Sequence, residues 1–200
     1  MLNDTRLIEK RKQFSRAAKH NPYKNWIILG IAVLVVTIIF IFLATRLPEP
    51  GASAFAFGEP EVESRSYVGK VISMTDVEPL IEDELIKIPL AEVESHGIVS
   101  FAVENDEGFA VPLMAYITPS GRVFAGSSMC EPCRGRTFSL AGETLVCDVC
   151  RTTYTIEDHQ FIAGSQACGA YPPVYMEPLV ENGTINIALA KVLNWRIRAY

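Results

Sequence analysis

At 200 residues, with 18 Lys and Arg against 23 Asp and Glu and a net charge of −5, the chain carries the wrong sign of charge for electrostatic binding of nucleic acid. Hydrophobic residues make up 49% of it, enough to bury a core and too many for a disordered chain. The charge is uneven: residues 1–25 hold seven of the basic and two of the acidic residues, so the remainder is acidic. Such a surface can attract cations or a basic redox partner, although mere solubility is its default meaning.

The chain opens on a basic tail, residues 1–25, containing Arg6, Lys10, Arg11, Lys12, Arg16, Lys19 and Lys24. Residues 5 to 20 could form a short basic helix ended near Asn21-Pro22. From Trp26 to Thr45 there is no charge, and a helix of that length matches a ~30 Å hydrocarbon core. The spacing therefore predicts one transmembrane helix over 26–45, with Tyr23 and Trp26 at the inner interface. Only Arg46 follows closely, so the expected topology is single-pass in the cell membrane, N-terminus cytoplasmic and C-terminal part extracytoplasmic. Ala52-Ser53-Ala54 offers a signal-peptide alternative, but the apolar run exceeds the ~7–15 residues of a signal core.

Residues 46–65, rich in Pro, Gly and Glu, read as a linker. Residues 66–200 then read as one small, mainly β domain. Strand-like runs start at Ser66, Leu85, Gly97, Ala110 and Arg122, with turns at Asn105–Gly108 and Pro119–Gly121. Pro89 suggests an edge or an end, and Ala91–Ser95 a single helical turn. The last run, from Thr184, alternates like a strand and could continue as a short helix.

Residues 128–178 form a cysteine module. Cys130-Glu-Pro-Cys133 and Cys147-Asp-Val-Cys150 are two Cys-x-x-Cys knuckles, and a hairpin through Arg136–Leu140 and Thr144–Cys147 would set them face to face as a metal-binding ribbon. Cys130, Cys133, Cys147 and Cys150 are the expected ligands. Cys168 could be a further metal ligand, a redox-active thiol, or a small buried residue. Phe138, Tyr154 and Phe161 are expected to pack over the centre. His159, in the polar stretch Glu157–Gln160, reads as a solvated loop residue; Met114, Tyr116 and Met129 read as core. From spacing alone, structural zinc leads, followed by disulfides and an iron-sulfur cluster, the odd cysteine count arguing against a pure disulfide framework.

A resemblance reorders these readings. Ile88-Pro89-Leu90, Ile98-Val-Ser-Phe101, Gly121-Arg-Val-Phe-Ala125 leading into Cys130, Leu145-Val-Cys147, Phe161-Ile162, Ala167-Cys168-Gly169 and Pro172-Pro173 carry it. From Leu85 to about Leu189 the chain resembles the FtrD-like membrane iron-sulfur proteins of bacteria. That resemblance implies an iron-sulfur cofactor, with zinc as the alternative, and a membrane electron-transfer role linked to iron or other metal transport. A permease or redox protein would be the partner, with no nucleic acid and no small-molecule substrate. The chain departs from the family at Ser128, where an aspartate is usual, and at Gln166–Ala170, which replaces a glycine-glycine-cysteine-asparagine-proline element. No catalytic triad, phosphate loop or carboxylate pair stands out, and a closed four-thiolate shell leaves no position for substrate, so the expectation is not an enzyme. The other reading is a zinc-stapled extracytoplasmic binding or assembly module without redox function.

Overall fold

The computed structural model describes residues 22–44 and 57–198, which fall into two units divided after Ala52. In the first unit a helix, α1, runs Pro22–Ala44. Its described side chains, Tyr23 and those from Trp26 to Ile38, are uncharged and exposed. Among the described residues no helix is long and apolar enough to cross a membrane. The basic tail before Pro22 and the start of the linker, 45–56, lie outside the described residues.

The second unit is mainly β, as the strand-like runs predict. Its elements are β1 (Val71–Ser73), β2 (Thr75–Asp76), β3 (Leu80–Glu82), β4 (Leu85–Pro89), α2 (Leu90–His96), β5 (Ile98–Glu104), β6 (Ala110–Ile117) and β7 (Val123–Ser127). They continue with β8 (Phe138–Ala141), β9 (Thr144–Cys147), β10 (Thr153–Thr155), β11 (Phe161–Ala163), α3 (Gln166–Gly169), β12 (Leu179–Glu181), β13 (Thr184–Ala188) and α4 (Leu189–Leu193). Three sheets result, in the orders β2-β5-β6-β7, β12-β13-β4-β3 and β1-β8-β9-β10-β11. Only the β2–β5 pairing is parallel among the described strands.

The β2-β5-β6-β7 sheet lies in the middle. Side chains alternate along a strand, and here both faces are apolar. Val111, Leu113, Ala115 and Ile117 of β6 face one way, joining Val99, Phe101, Ile86, Ile88, Ile185 and Ile187 in a core against the β4–β13 sheet. Met114 and Tyr116 face the other way, with Ile98 and Phe124, against Phe138, Leu140, Leu145, Cys147 and Tyr154 of the cysteine sheet. Every β6 residue from Val111 to Ile117 is buried. This accounts for an apolar run with no polar alternation, and Met114, Tyr116 and Met129 are core as expected.

The loops fit their turn chemistry. Asn105 Oδ1 accepts from Glu107 N at 3.1 Å and Phe109 N at 2.9 Å, closing the β5–β6 connection. At Gly121, φ is +88 and a Cβ would stand 2.1 Å from the Val62 carbonyl oxygen. That approach lets the Gly121 carbonyl accept from Glu61 N and Val62 N, laying 57–65 along the β domain, where Phe57 is buried.

One expectation needs correction, and one alternative drops out. Of the run from Ser66, only Val71–Ser73 is a strand; Tyr67 leaves it to plug the core and donate to the Ile117 carbonyl at 2.7 Å. Pro89 ends β4 as expected but marks no edge, because β4 pairs with β13 and β3 on its two sides. The hairpin β8–β9, the helical turn α2 and the strand-then-helix of β13 and α4 are where the sequence puts them.

Gly126 of β7 bridges to Tyr175, and a Cβ there would meet the Val174 carbonyl oxygen at 2.0 Å and the Phe124 ring at 2.9 Å. Gly126→Ala should cost about 2 kcal/mol or more, read as a lower denaturant midpoint at unchanged slope.

Candidate metal centre

The two knuckles are built alike. Each begins on a cysteine whose N–H donates to a carbonyl five residues on: Cys130 to Gly135 at 2.8 Å, and Cys147 to Thr152 at 2.9 Å. The residue after each second cysteine returns the bond, Arg134 N to the Cys130 carbonyl at 2.8 Å and Arg151 N to the Cys147 carbonyl at 3.0 Å. Both arginines sit in the left-handed region, at φ 62 and φ 61. β8 and β9 pair Phe138 with Cys147, carrying the second knuckle back beside the first. Gly135 has no side chain to separate them: a Cβ there would stand 3.0 Å from Cys147 Sγ.

The outcome is a sulfur tetrad. The Sγ atoms of Cys130, Cys133, Cys147 and Cys150 all lie within 4.8 Å of one another. Two edges across the knuckles, Cys130 to Cys150 and Cys133 to Cys147, are each 3.8 Å. A tetrahedron of ~2.3 Å metal–sulfur bonds has edges of about 3.8 Å, so the spacing suits one ion. A cubane cluster attaches each cysteine to a different iron and needs its sulfurs further apart. All five cysteines are free thiols.

Ionisation of the tetrad is uneven. Cys147 is pushed down to about 5 by its hydrogen bond with the Cys130 thiol, then by the backbone N–H groups of Cys150 and Val149. Cys130 is pushed up by that same bond and by burial, and Cys133 to about 12, chiefly by burial. One thiol ionises readily and its neighbours then resist. A cation at the middle would remove the mutual repulsion, which makes these residues a fitting metal site.

Cys168 borders this tetrad from α3. It is buried, and the side chains of Ser165, Cys130, Cys150 and Thr152 are the polar neighbours that act on its thiol. Burial raises its pKa, but those neighbours together outweigh it and leave the thiol below its ordinary value. Thr152 ties the two parts together: its hydroxyl oxygen accepts from Cys150 Sγ at 3.1 Å and from Ser165 N at 3.2 Å. Phe138 and Tyr154 are wholly buried against the tetrad, and Tyr154 Oη donates to the Cys168 carbonyl at 2.7 Å. Phe161 stays partly exposed and instead covers Gly169, where a Cβ would come 2.3 Å from its ring.

His159 overturns the solvated-loop expectation. It is 3% exposed, caged by Phe57, Phe124 and Tyr154, with Nε2 at 2.7 Å from Tyr116 Oη. Burial pushes its pKa down to about 3, so it is neutral in the fold. Nδ1 has no well-formed hydrogen bond, and the Pro173 carbonyl compensates it only in part.

The pairing of Glu131 with Arg198 escapes sequence reasoning, because 67 residues separate them and the Cys-x-x-Cys motif assigns no role to the residues between its cysteines. Glu131, inside the first knuckle, is fully buried, and Arg198 Nε donates to its Oε1 at 2.9 Å while Arg198 N donates to Oε2 at 2.8 Å. Arg198 Nη2 also donates to the Pro172 carbonyl at 2.7 Å, and its guanidinium lies 5.3 Å over the Tyr171 ring.

A family model described as membrane iron-sulfur containing protein FtrD-like matches residues 93–198, which include all five cysteines. No curated protein and no protein of solved structure matches the chain.

Two outcomes follow from the buried charges. Between pH 6.5 and 5 the unfolded state takes up a proton at His159 that the folded state refuses. Stability is therefore full above pH 6.5 and falls as pH drops toward about 3, by up to ~1.4 kcal/mol per unit from this group. Denaturation of wild type and His159→Phe across that window should show the slope only in wild type. Arg198→Met should cost about 3 kcal/mol by leaving Glu131 buried and unpaired, and the double variant with Glu131→Gln should recover most of it in a double-mutant cycle.

Proposed function

The chain belongs to the family of FtrD-like membrane iron-sulfur containing proteins, and on that premise we propose that its four knuckle cysteines hold a single iron ion for electron transfer. The observation that carries this reading is the tetrad itself, with edges of 3.8 Å and all sulfurs within 4.8 Å. Iron in such a shell supplies a one-electron couple, whereas Zn²⁺ there has no redox chemistry. Cys130, Cys133, Cys147 and Cys150 are the proposed ligands.

Cys168 is a hydrogen-bonding neighbour of the ligands in this reading. The N–H groups of Gly135, Val149 and Cys150 face the ligand sulfurs, and such donors favour the more negative oxidation state. Phe138, Tyr154 and Tyr116 keep water from the buried side. In the second reading the same edges hold zinc and the ribbon is a structural staple.

The proposed setting is the outer face of a membrane. The uncharged run 26–45 and its basic N-terminal flank support a single anchor with the N-terminus inside. The family's description as membrane iron-sulfur proteins supports a redox role at the membrane, and the proposed role is electron transfer coupled to transport of iron or another metal through a partner permease.

Purified full-length protein should carry about one iron per chain, visible thiolate charge-transfer absorption and no acid-labile sulfide. Cys147→Ser should lose the metal, whereas Cys168→Ser should retain it with a shifted reduction potential. A colourless protein with one zinc sinks the electron-transfer reading; two or more irons with sulfide sink the single-ion one.

A further inference from the structure

The β domain is acidic as a whole, yet its metal rim is not. Residues 57–200 hold 10 Lys and Arg against 20 Asp and Glu, and three of those ten, Arg134, Arg136 and Arg151, lie within three positions of Cys133 or Cys150. All three arginines are exposed, and Cys133 and Cys150 are the two partly exposed members of the tetrad. The acidic residues inside the knuckles are turned to other uses. Glu131 is fully buried against Arg198, and Asp148 accepts from the Ser139 hydroxyl at 2.7 Å. Val149, at the tip of the second knuckle, is 62% exposed and gives the rim an apolar point.

Backbone conformation marks two of the arginines as kept for their side chains. Arg134 and Arg151 occupy equivalent turn positions at φ 62 and φ 61, where glycine is the undemanding residue. The bonds that close each turn come from backbone N–H groups, which a glycine would supply as well. Arginine at both places therefore adds positive charge at some cost in backbone strain.

We propose that this rim is the docking surface for a partner protein that presents an acidic face, received over Arg134, Arg136, Arg151 and Val149. Opposite charge would steer the partner to a basic rim on an otherwise acidic domain. It would then lie against Cys133 and Cys150, the shortest way to the centre. This rests on the reading that the tetrad holds a metal, and it inverts the basic partner that the overall charge suggests.

The test uses the full-length protein in detergent micelles with an acidic ferredoxin as probe, and measures binding by titration and chemical-shift mapping. Binding should map to the rim and weaken about tenfold or more when salt rises from about 20 to 200 mM. The double variant R134G/R151G should weaken low-salt binding about tenfold while its denaturation midpoint stays equal or rises, since glycine relieves the left-handed backbone. Unchanged binding in that variant, or binding mapped elsewhere, overturns the proposal. So does an outcome in which phosphatidylglycerol vesicles bind through these arginines and the ferredoxin does not. A zinc-loaded protein would refute electron transfer yet leave this binding measurement readable, so the two failures are distinguishable.

Discussion

β6 must satisfy two cores at once. Its odd residues from Val111 to Ile117 serve the layer against β4 and β13, and Met114 and Tyr116 serve the layer beneath the cysteines. A slip of one residue would exchange the two sets. The register is held by seven pairs with β5, by the Asn105 turn at one end and by Gly121 at the other. The cysteine layer thus rests on a floor whose side chains are fixed from beyond it. Tyr116 transmits that position, reaching His159 and the Ile156 carbonyl of the cysteine module.

On that floor the knuckles bring together groups that repel when ionised. Backbone bonds do the gathering, and the near-identical turns at Cys130 and Cys147 present two sulfurs each from opposite sides. Burial on the inner side and partial exposure at Cys133 and Cys150 divide the centre into a dry half and an accessible half. The dry half holds the neutral His159 and the paired Glu131, so it adds little net charge beneath the sulfurs. The accessible half is where Arg134 and Arg151 stand.

Much of this was legible in the sequence because it is local. Knuckle spacing, the β8–β9 hairpin and the strand-then-helix of β13 and α4 depend on residues a few positions apart, and periodicity or turn chemistry reports them. The five strands β2, β3, β10, β11 and β12 are two or three residues long, too short for any alternation to register. His159 was misread because its neighbours Glu157, Asp158 and Gln160 are polar, whereas its cage comes from Phe57, Phe124 and Tyr154 in other elements. The Glu131–Arg198 pair was invisible for the same reason. Local polarity says nothing about which distant rings or charges will close over a residue.

That pair also ties the first knuckle to a distant part of the domain. Glu131 lies inside the knuckle, and its compensating guanidinium is 67 residues later in the chain. A carboxylate cannot be sealed from water at low cost without its counter-charge. Burial of the knuckle and docking of Arg198 across Pro172 and Tyr171 are therefore energetically one event, so the seal over the cysteines is only as firm as the hold on that single arginine.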